Sequence, residues 1–218
     1  MQLTKQQIQI IESSLVKKGL KYWDLRIEMI DHIVSDLEKN AETNDFEKEF
    51  KNSLKRLDCC GSLRHINAAG WQNTNKKYRK EYHKAFVNFF KHPKNLLVLL
   101  IFVSFSFGAS EYLSFKLFER LNFILVVISV IPFFFTTTKQ WFKKYGKSVN
   151  LDYGIFYFSL AILMISFPLQ LVKNTSEPNQ KILLLCIIPI YFIATYSGYK
   201  VYNKAMLRVE KMRKELLS

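Results

Sequence analysis

The chain has 218 residues, of which 49% are hydrophobic, and its formal net charge is +14 at pH 7. Residues 1–75 contain eleven Lys and Arg against eleven Asp and Glu, so the whole positive excess belongs to residues 76–218. A neutral N-terminal segment lacks the phosphate-neutralising surface on which nucleic-acid binding depends. Composition and charge therefore exclude nucleic acid as a partner and associate the basic residues with the most hydrophobic part of the chain.

The N-terminal segment is predicted to begin with two helices. Thr4 and Gln7 stand in capping-box relation at the start of the first helix. Apolar residues then recur at helical spacing, and Gly19 is placed to end this helix near residue 18 in the left-handed conformation. The second helix is expected from Tyr22 to about Asn40, with an apolar stripe on one side and acidic residues on the other.

A third helix completes the predicted N-terminal domain. Asp45 is expected to cap this helix, and Gly61 marks its end. The three helices define a domain over residues 1–70, close to the lower size limit for a domain that is stable by itself. We therefore expect this domain to dock on a partner or on a second copy of the chain.

The polar side of the second helix is the candidate binding surface of that domain. We predict that a protein partner contacts its acidic and histidine side chains, which are Asp24, Glu28, Asp31, His32 and Asp36. Four of these residues are spaced four positions apart and therefore share one row along the helix. Carboxylates and an imidazole are also ligands for divalent cations, so a metal site and a plain solvated face stay open as alternatives. No metal or cofactor is assigned.

Residues 71–94 form a basic linker with interspersed aromatic side chains. This pattern predicts an amphipathic helix along the cytoplasmic membrane surface, and a continuous stalk into the first span is the alternative. Pro93 disfavours the stalk because proline interrupts helical hydrogen bonding. Basic residues here and after the second span are expected to contact anionic lipid headgroups, namely Lys76, Lys77, Arg79, Lys80, Lys84, Lys143 and Lys144.

Four apolar runs follow, at residues 96–114, 121–138, 153–172 and 182–199. A bilayer core about 30 Å thick requires about 20 helical residues, so each run predicts a membrane-spanning helix. The predicted four-span domain covers residues 95–199, and a basic helix covers residues 200–218. The expected fold class is all-α, with a small cytoplasmic helical bundle followed by a four-helix transmembrane bundle.

The charges between the runs predict the orientation of the chain in the membrane. Within residues 76–218, seventeen Lys and Arg residues precede the first run, separate the second from the third, or follow the fourth. Only four lie in the two other connections, at Lys116, Arg120, Lys173 and Lys181. Basic residues near spans are retained on the cytoplasmic side, so both termini of this multi-pass chain are expected to be cytoplasmic.

Residues 22–32 form an acidic segment ending in His32, and an aromatic and acidic segment follows at residues 45–50. In these two segments the N-terminal sequence resembles the HAAS-type signalling domain. Members of the family end in Leu-Gly and a proline, whereas this chain has Leu57 to Gly61 and no proline. The resemblance implies a bacterial regulatory or docking module that precedes membrane spans, often accompanies PadR-type transcriptional regulators and has no catalytic residues. It thus implies the bacterial inner membrane.

The sequence contains no Gly-rich phosphate loop, no His-Glu-x-x-His pair and no nucleophile elbow. We therefore expect no enzymatic activity. The predicted function is that of a regulatory or assembly subunit whose cytoplasmic domain docks a cytoplasmic or membrane protein. The alternative is a small transporter or channel component, in which a homo-oligomer forms a pore between protomers. A transporter or channel usually needs ionisable groups within its spans. Here the runs contain one charged residue, Glu111, which lies near the end of the first run, and this counts against the alternative.

Overall fold

The computed structural model describes residues 2–143 and 145–217, which form helices and no strand. The all-α fold class is therefore confirmed. In chain order the helices are α1 Lys5–Lys17, α2 Trp23–Asn40, α3 Phe46–Arg56, α4 Arg64–Phe89, α5 Pro93–Tyr112, α6 Phe115–Lys143, α7 Val149–Met164, α8 Ser166–Lys173 and α9 Glu177–Leu217.

The chain divides into two compact units, and each is assembled from separate segments. Unit 1 consists of Met1–Asn75, Gly146–Asn150 and Val209–Ser218, whereas unit 2 consists of Lys76–Tyr145 and Leu151–Arg208. The first segment of unit 1 ends close to the predicted boundary at residue 70. The two short segments that join it were not anticipated from the sequence.

The predicted ends of α1 agree with the structure. Thr4 Oγ1 accepts a hydrogen bond from the Gln7 N–H at 3.3 Å, and the Gln7 side chain accepts one from the Thr4 N–H at 2.8 Å. Gly19 has a φ of +94°. The Leu20 N–H bonds to the Leu15 carbonyl at 3.1 Å, which completes a Schellman motif and terminates the helix.

The end of α3 differs from the prediction. Asp45 does cap the helix by accepting the first free backbone N–H groups. The helix ends at Arg56, however, and Asp58 rather than Gly61 takes the left-handed conformation, with a φ of +53°. The next residue, Cys59, donates its N–H to the Leu54 carbonyl at 2.7 Å. Aspartate tolerates this conformation better than most residues, so the helix stops before the glycine is reached.

Residues 71–89 of the basic linker lie in α4, which runs from Arg64 to Phe89 and so crosses the boundary predicted at residue 70. The expected interruption is present, because α4 ends before Pro93 and the proline occupies the first turn of α5. Within unit 2, however, the Tyr82 hydroxyl donates to the Ala194 carbonyl, and the rings of Phe89 and Tyr196 are 5.4 Å apart. These linker aromatics pack on α9, whereas a helix lying on the membrane surface was expected to direct them to lipid.

Within residues 2–143 and 145–217, four helical segments are long and apolar enough to cross a membrane, which confirms the predicted number of spans. They are Pro93–Tyr112, Phe115–Lys143, Val149–Gln170 and Glu177–Lys214. The third consists of α7 and part of α8, which are separated at Ile165. Pro168 follows this interruption and has no N–H to donate to the Met164 carbonyl, which accounts for the weakened helix there.

The two last long helices of unit 2 approach each other closely at glycines. A Cβ atom added to Gly198 of α9 would lie 2.4 Å from the Tyr157 carbonyl oxygen and 2.9 Å from the Phe158 Cα. At Gly154 of α7, an added Cβ would lie 2.7 Å from the Ala205 Cβ. Small residues at such positions let helix backbones approach, as in many membrane helix pairs.

Candidate functional site

Asp24, in the first turn of α2, has a buried side chain with 0% exposure. Its carboxylate accepts hydrogen bonds from Ser148 Oγ at 2.7 Å and from the backbone N–H groups of Val149 and Asn150 at 3.2 and 3.0 Å. The Asn150 side-chain amide adds another at 2.8 Å. We call this set of residues, Asp24 with Ser148, Val149 and Asn150, the Asp24 clasp. All four belong to unit 1.

The clasp supplies α7 with an N-terminal cap from a distant part of the sequence. The first N–H groups of any α-helix lack acceptors within the helix, and α7 begins at Val149. The Asp24 carboxylate accepts two of them, and its negative charge suits the positive end of the helix dipole. The Trp23 N–H also bonds to the Lys147 carbonyl at 3.1 Å. The start of α2 and the start of α7 are thus joined by side-chain and backbone hydrogen bonds.

This geometry removes Asp24 from the surface on which it was predicted to lie. A carboxylate that is fully buried and accepts four hydrogen bonds from residues 148–150 is not available to a partner. Two sequence signals point to capping at these helix starts. Aspartate is frequent near helix starts, and Ser148 precedes an apolar run. Neither signal indicates that residues so far apart in sequence meet.

Asp36 is likewise used within the domain, where it joins α2 to α3. Arg56 Nη2 donates to Asp36 Oδ2 at 2.7 Å and Arg56 Nε donates to Asp36 Oδ1 at 3.2 Å, which is a bidentate arrangement. Asn40 adds a hydrogen bond at 2.7 Å. These donors favour the ionised form, and the Arg56 hydrogen bond contributes most to lowering the pKa of Asp36 to about 2. The carboxylate raises the pKa of Arg56 in return.

The three other predicted site residues, Glu28, Asp31 and His32, have exposed side chains on α2. Their spacing places them on one side of the helix, and the exposed Glu38 continues that side toward the C-terminus of α2. We call these four residues the acidic face. Among the residues that the structure describes, no group of three His, Cys, Asp or Glu side chains is arranged to hold a metal ion.

A cleft of about 410 Å³ lies beside His32. Met29, Leu57 and Ile66 contribute apolar parts of its wall, and His32, Asp58 and His65 contribute polar parts. The cleft therefore offers an apolar recess next to the acidic face. A partner that contacts the carboxylates from outside has room to insert a hydrophobic side chain at the same place.

The residues predicted to contact lipid headgroups are largely exposed. Lys76, Arg79, Lys80 and Lys84 are exposed on α4, as is Lys143 at the end of α6. The sixth, Lys77, is half-buried, and its ammonium lies 5.7 Å from the centre of the Tyr78 ring. Lys144 lies outside the described residues. Contact of these side chains with lipid remains a prediction.

The part of the chain that the structure describes defines a class of protein, all-helical with an N-terminal helical unit and four helical segments long and apolar enough to cross a membrane. Comparison with protein-family models, with curated proteins and with solved structures finds no match. The resemblance to HAAS-type domains therefore stays a prediction.

Proposed function

We propose that this protein is a non-enzymatic regulatory or assembly subunit of the bacterial inner membrane, whose N-terminal unit docks a protein partner in the cytoplasm. One observation carries the proposal. The same helix, α2, bears the acidic face on its outer side and the Asp24 clasp at its first turn. Partner binding on α2 therefore acts on a helix that is hydrogen-bonded to the first residues of α7.

The acidic face and the Asp24 clasp lie close together along α2. Asp24 and Glu28 are one helical turn apart, so a partner that shifts or stiffens α2 changes the geometry of the clasp. The clasp in turn caps α7, which begins the third segment able to cross a membrane. A signal conveyed in this way needs no reaction at the site, which agrees with a non-enzymatic subunit.

The chemistry of the surface selects the kind of partner. Glu28, Asp31 and Glu38 present carboxylates, and complementary Lys or Arg residues on a protein would match them and favour encounter. An apolar side chain beside those basic residues fits the cleft next to His32 and supplies the buried anchor that dominates many interfaces. We therefore propose a partner segment that combines basic residues with one hydrophobic residue.

The test is purification of the tagged full-length protein from its native membrane in mild detergent, followed by mass spectrometry. Asp31→Lys reverses a charge on the acidic face, whereas Glu42→Lys reverses one on an exposed residue of the α2–α3 connection. We expect a stoichiometric partner with the wild-type and Glu42→Lys proteins and at least about a tenfold loss with Asp31→Lys, because like charges at an interface cost several kcal/mol.

Two results would contradict the proposal. Equal recovery of the same partner by Asp31→Lys would remove the acidic face as the docking surface. Recovery of a homo-oligomer without any other protein would favour the transporter or channel alternative, and ion flux in liposomes containing only this chain would then be the decisive measurement.

A further inference from the structure

Unit 2 contains a cavity of about 410 Å³ between the start of α6, α8 and the start of α9. Its volume lies within the range of pockets that hold small molecules. One part of the wall is apolar and includes Phe123 and Val126 of α6 with Leu184 and Ile188 of α9. Leu184 and Ile188 are 4% and 1% exposed, so this wall is firmly packed from behind.

The other part of the wall is polar and carries opposite charges in unequal number. Arg120 and Lys173 contribute two cations, and Glu119 contributes one anion. Gln170 and Gln180 add amide groups that donate or accept hydrogen bonds. A ligand group with one negative charge would balance this rim.

The position of the polar rim matches that of lipid headgroups. The third segment able to cross a membrane ends at Gln170, and the fourth begins at Glu177, so Lys173 lies in the connection between them. Phe115 begins the second such segment and also lines the cavity. The rim thus lies at the ends of the spans, whereas Val126 and Ile188 lie deeper along them.

We propose that this cavity binds a single-chain amphiphile with an anionic head, with the head at Arg120 and Lys173 and the chain along the apolar wall. A free inorganic anion would leave that wall in contact with water, and an uncharged amphiphile would leave the two cations without a counter-charge. The volume is near the lower end of the range for ligand pockets, which suits one chain rather than two. The site lies in unit 2 and is independent of the proposed docking function.

One buried amide, that of Asn122, also belongs to the cavity wall. Its side chain is 4% exposed, lines the cavity and donates to the Phe118 carbonyl at 2.9 Å. This hydrogen bond holds the amide against α6. Val126 and Ile188 lie farther along their helical segments than Asn122 and continue the apolar wall.

Native mass spectrometry of the full-length protein in detergent tests the proposal. The probes are oleate, oleoyl lysophosphatidylglycerol, the uncharged oleyl alcohol and inorganic phosphate. We expect the protein to retain at least one of the two anionic probes, oleate or the lysolipid. The probe that is retained more strongly shows whether a fatty acid or a lysophospholipid is the better ligand. The alcohol and phosphate should be retained at least about tenfold less, because each lacks one of the two halves of the interaction.

Three variants locate the binding. Val126→Trp fills the apolar part and should abolish retention. Ile124→Trp introduces the same side chain at a residue that is 52% exposed and outside the cavity lining, and should leave retention unchanged. Arg120→Gln combined with Lys173→Gln alters only exposed rim residues. It should reduce retention of the anionic probes about tenfold and leave that of oleyl alcohol unchanged.

The rim variant keeps the test decisive if Val126→Trp fails to fold. Equal retention of oleate by the wild-type and rim-variant proteins would show adventitious binding only and overturn the proposal. Equal retention by well-folded Val126→Trp, Ile124→Trp and wild-type proteins would do the same. Stronger retention of oleyl alcohol than of either anionic probe would contradict the assigned head chemistry.

Discussion

Asp24 shows how one buried carboxylate can join parts of a chain that are far apart in sequence. It accepts hydrogen bonds from residues 124 to 126 positions away and leaves none of the clasp's donors without an acceptor. Burial of a carboxylate is costly unless hydrogen bonds compensate for the lost water. A residue of this kind stabilises the fold through the geometry of its donors.

Replacement of Asp24 by alanine should lower the stability of the protein substantially. The change removes the acceptor that Asp24 provides for the Val149 and Asn150 N–H groups and the Ser148 hydroxyl, and loss of such a partner by a buried group costs about 1–3 kcal/mol. We expect a loss of at least about 2 kcal/mol in the free energy of unfolding, measured by denaturant unfolding in detergent.

Two companion variants separate the cap from the mere loss of a carboxylate. Asp24→Asn retains one acceptor oxygen and should lose less stability than Asp24→Ala. Asp31→Ala removes an exposed carboxylate from the same helix and should change stability by no more than about 0.5 kcal/mol. Equal losses for Asp24→Ala and Asp31→Ala would contradict the role assigned to the clasp.

The Asp36–Arg56 pair should make stability depend on pH in the acid range. The pKa of Asp36 is about 2 in the folded protein against an ordinary value of 3.8. A lowered pKa means that the folded state favours the ionised form, so the stabilisation is complete above pH 4 and is lost as the pH falls through 2. Denaturation midpoints of the wild-type and Asp36→Asn proteins should therefore converge between pH 4 and pH 2.

Arg56→Gln provides the matching control for that pair, because it removes the donor and leaves the carboxylate. It should lower stability near neutral pH and weaken the pH dependence in the same window. Midpoints that stay parallel from pH 4 to pH 2 for the wild-type and Asp36→Asn proteins would show that the ion pair does not contribute to folding.

At the scale of helices, local sequence signals predicted some ends and missed others. Thr4, Gly19 and Asp45 act within five residues of their partners, so their roles follow from spacing alone. Gly61 was predicted to end α3, but Asp58, three residues earlier, takes the left-handed conformation instead. The path of α4 past residue 70 depends on packing within units 1 and 2, which spacing does not describe.

The close approach of α7 and α9 gives a prediction for these helices. Gly198→Ala should destabilise unit 2 by about 1–3 kcal/mol, because its Cβ would lie 2.4 Å from a backbone oxygen that cannot move freely. Gly108→Ala on α5 is the control, because an added Cβ meets nothing within 4 Å there. It should be neutral or stabilise the helix by up to about 1 kcal/mol.

Thermal unfolding in detergent distinguishes the two glycines. The melting temperature should fall for Gly198→Ala and stay constant or rise for Gly108→Ala. A similar fall for both variants would mean that loss of glycine itself, rather than the helix crossing, determines the effect.

At the scale of the whole molecule, the number of spans was predictable because bilayer thickness fixes the length of an apolar helix. The Asp24 clasp was not predictable, since Ser148 and Asn150 meet Asp24 only after the chain has folded. The predicted acidic surface is correspondingly smaller, because Asp24 and Asp36 form internal hydrogen bonds and only the outer residues stay exposed. The cavity near Asn122 combines faces of three helices and leaves no contiguous sequence pattern.

The orientation of the chain supplies the last prediction. An even number of spans places both termini on one side of the membrane, and seventeen basic residues against four predict that this side is the cytoplasm. The exposed Cys60 should therefore be inaccessible to a membrane-impermeant maleimide in intact cells and react only after permeabilisation. Ser176, between the third and fourth spans, is also exposed. Ser176→Cys, in a chain whose native cysteines are replaced by serine, should react in intact cells, whereas the reverse labelling would establish the opposite orientation.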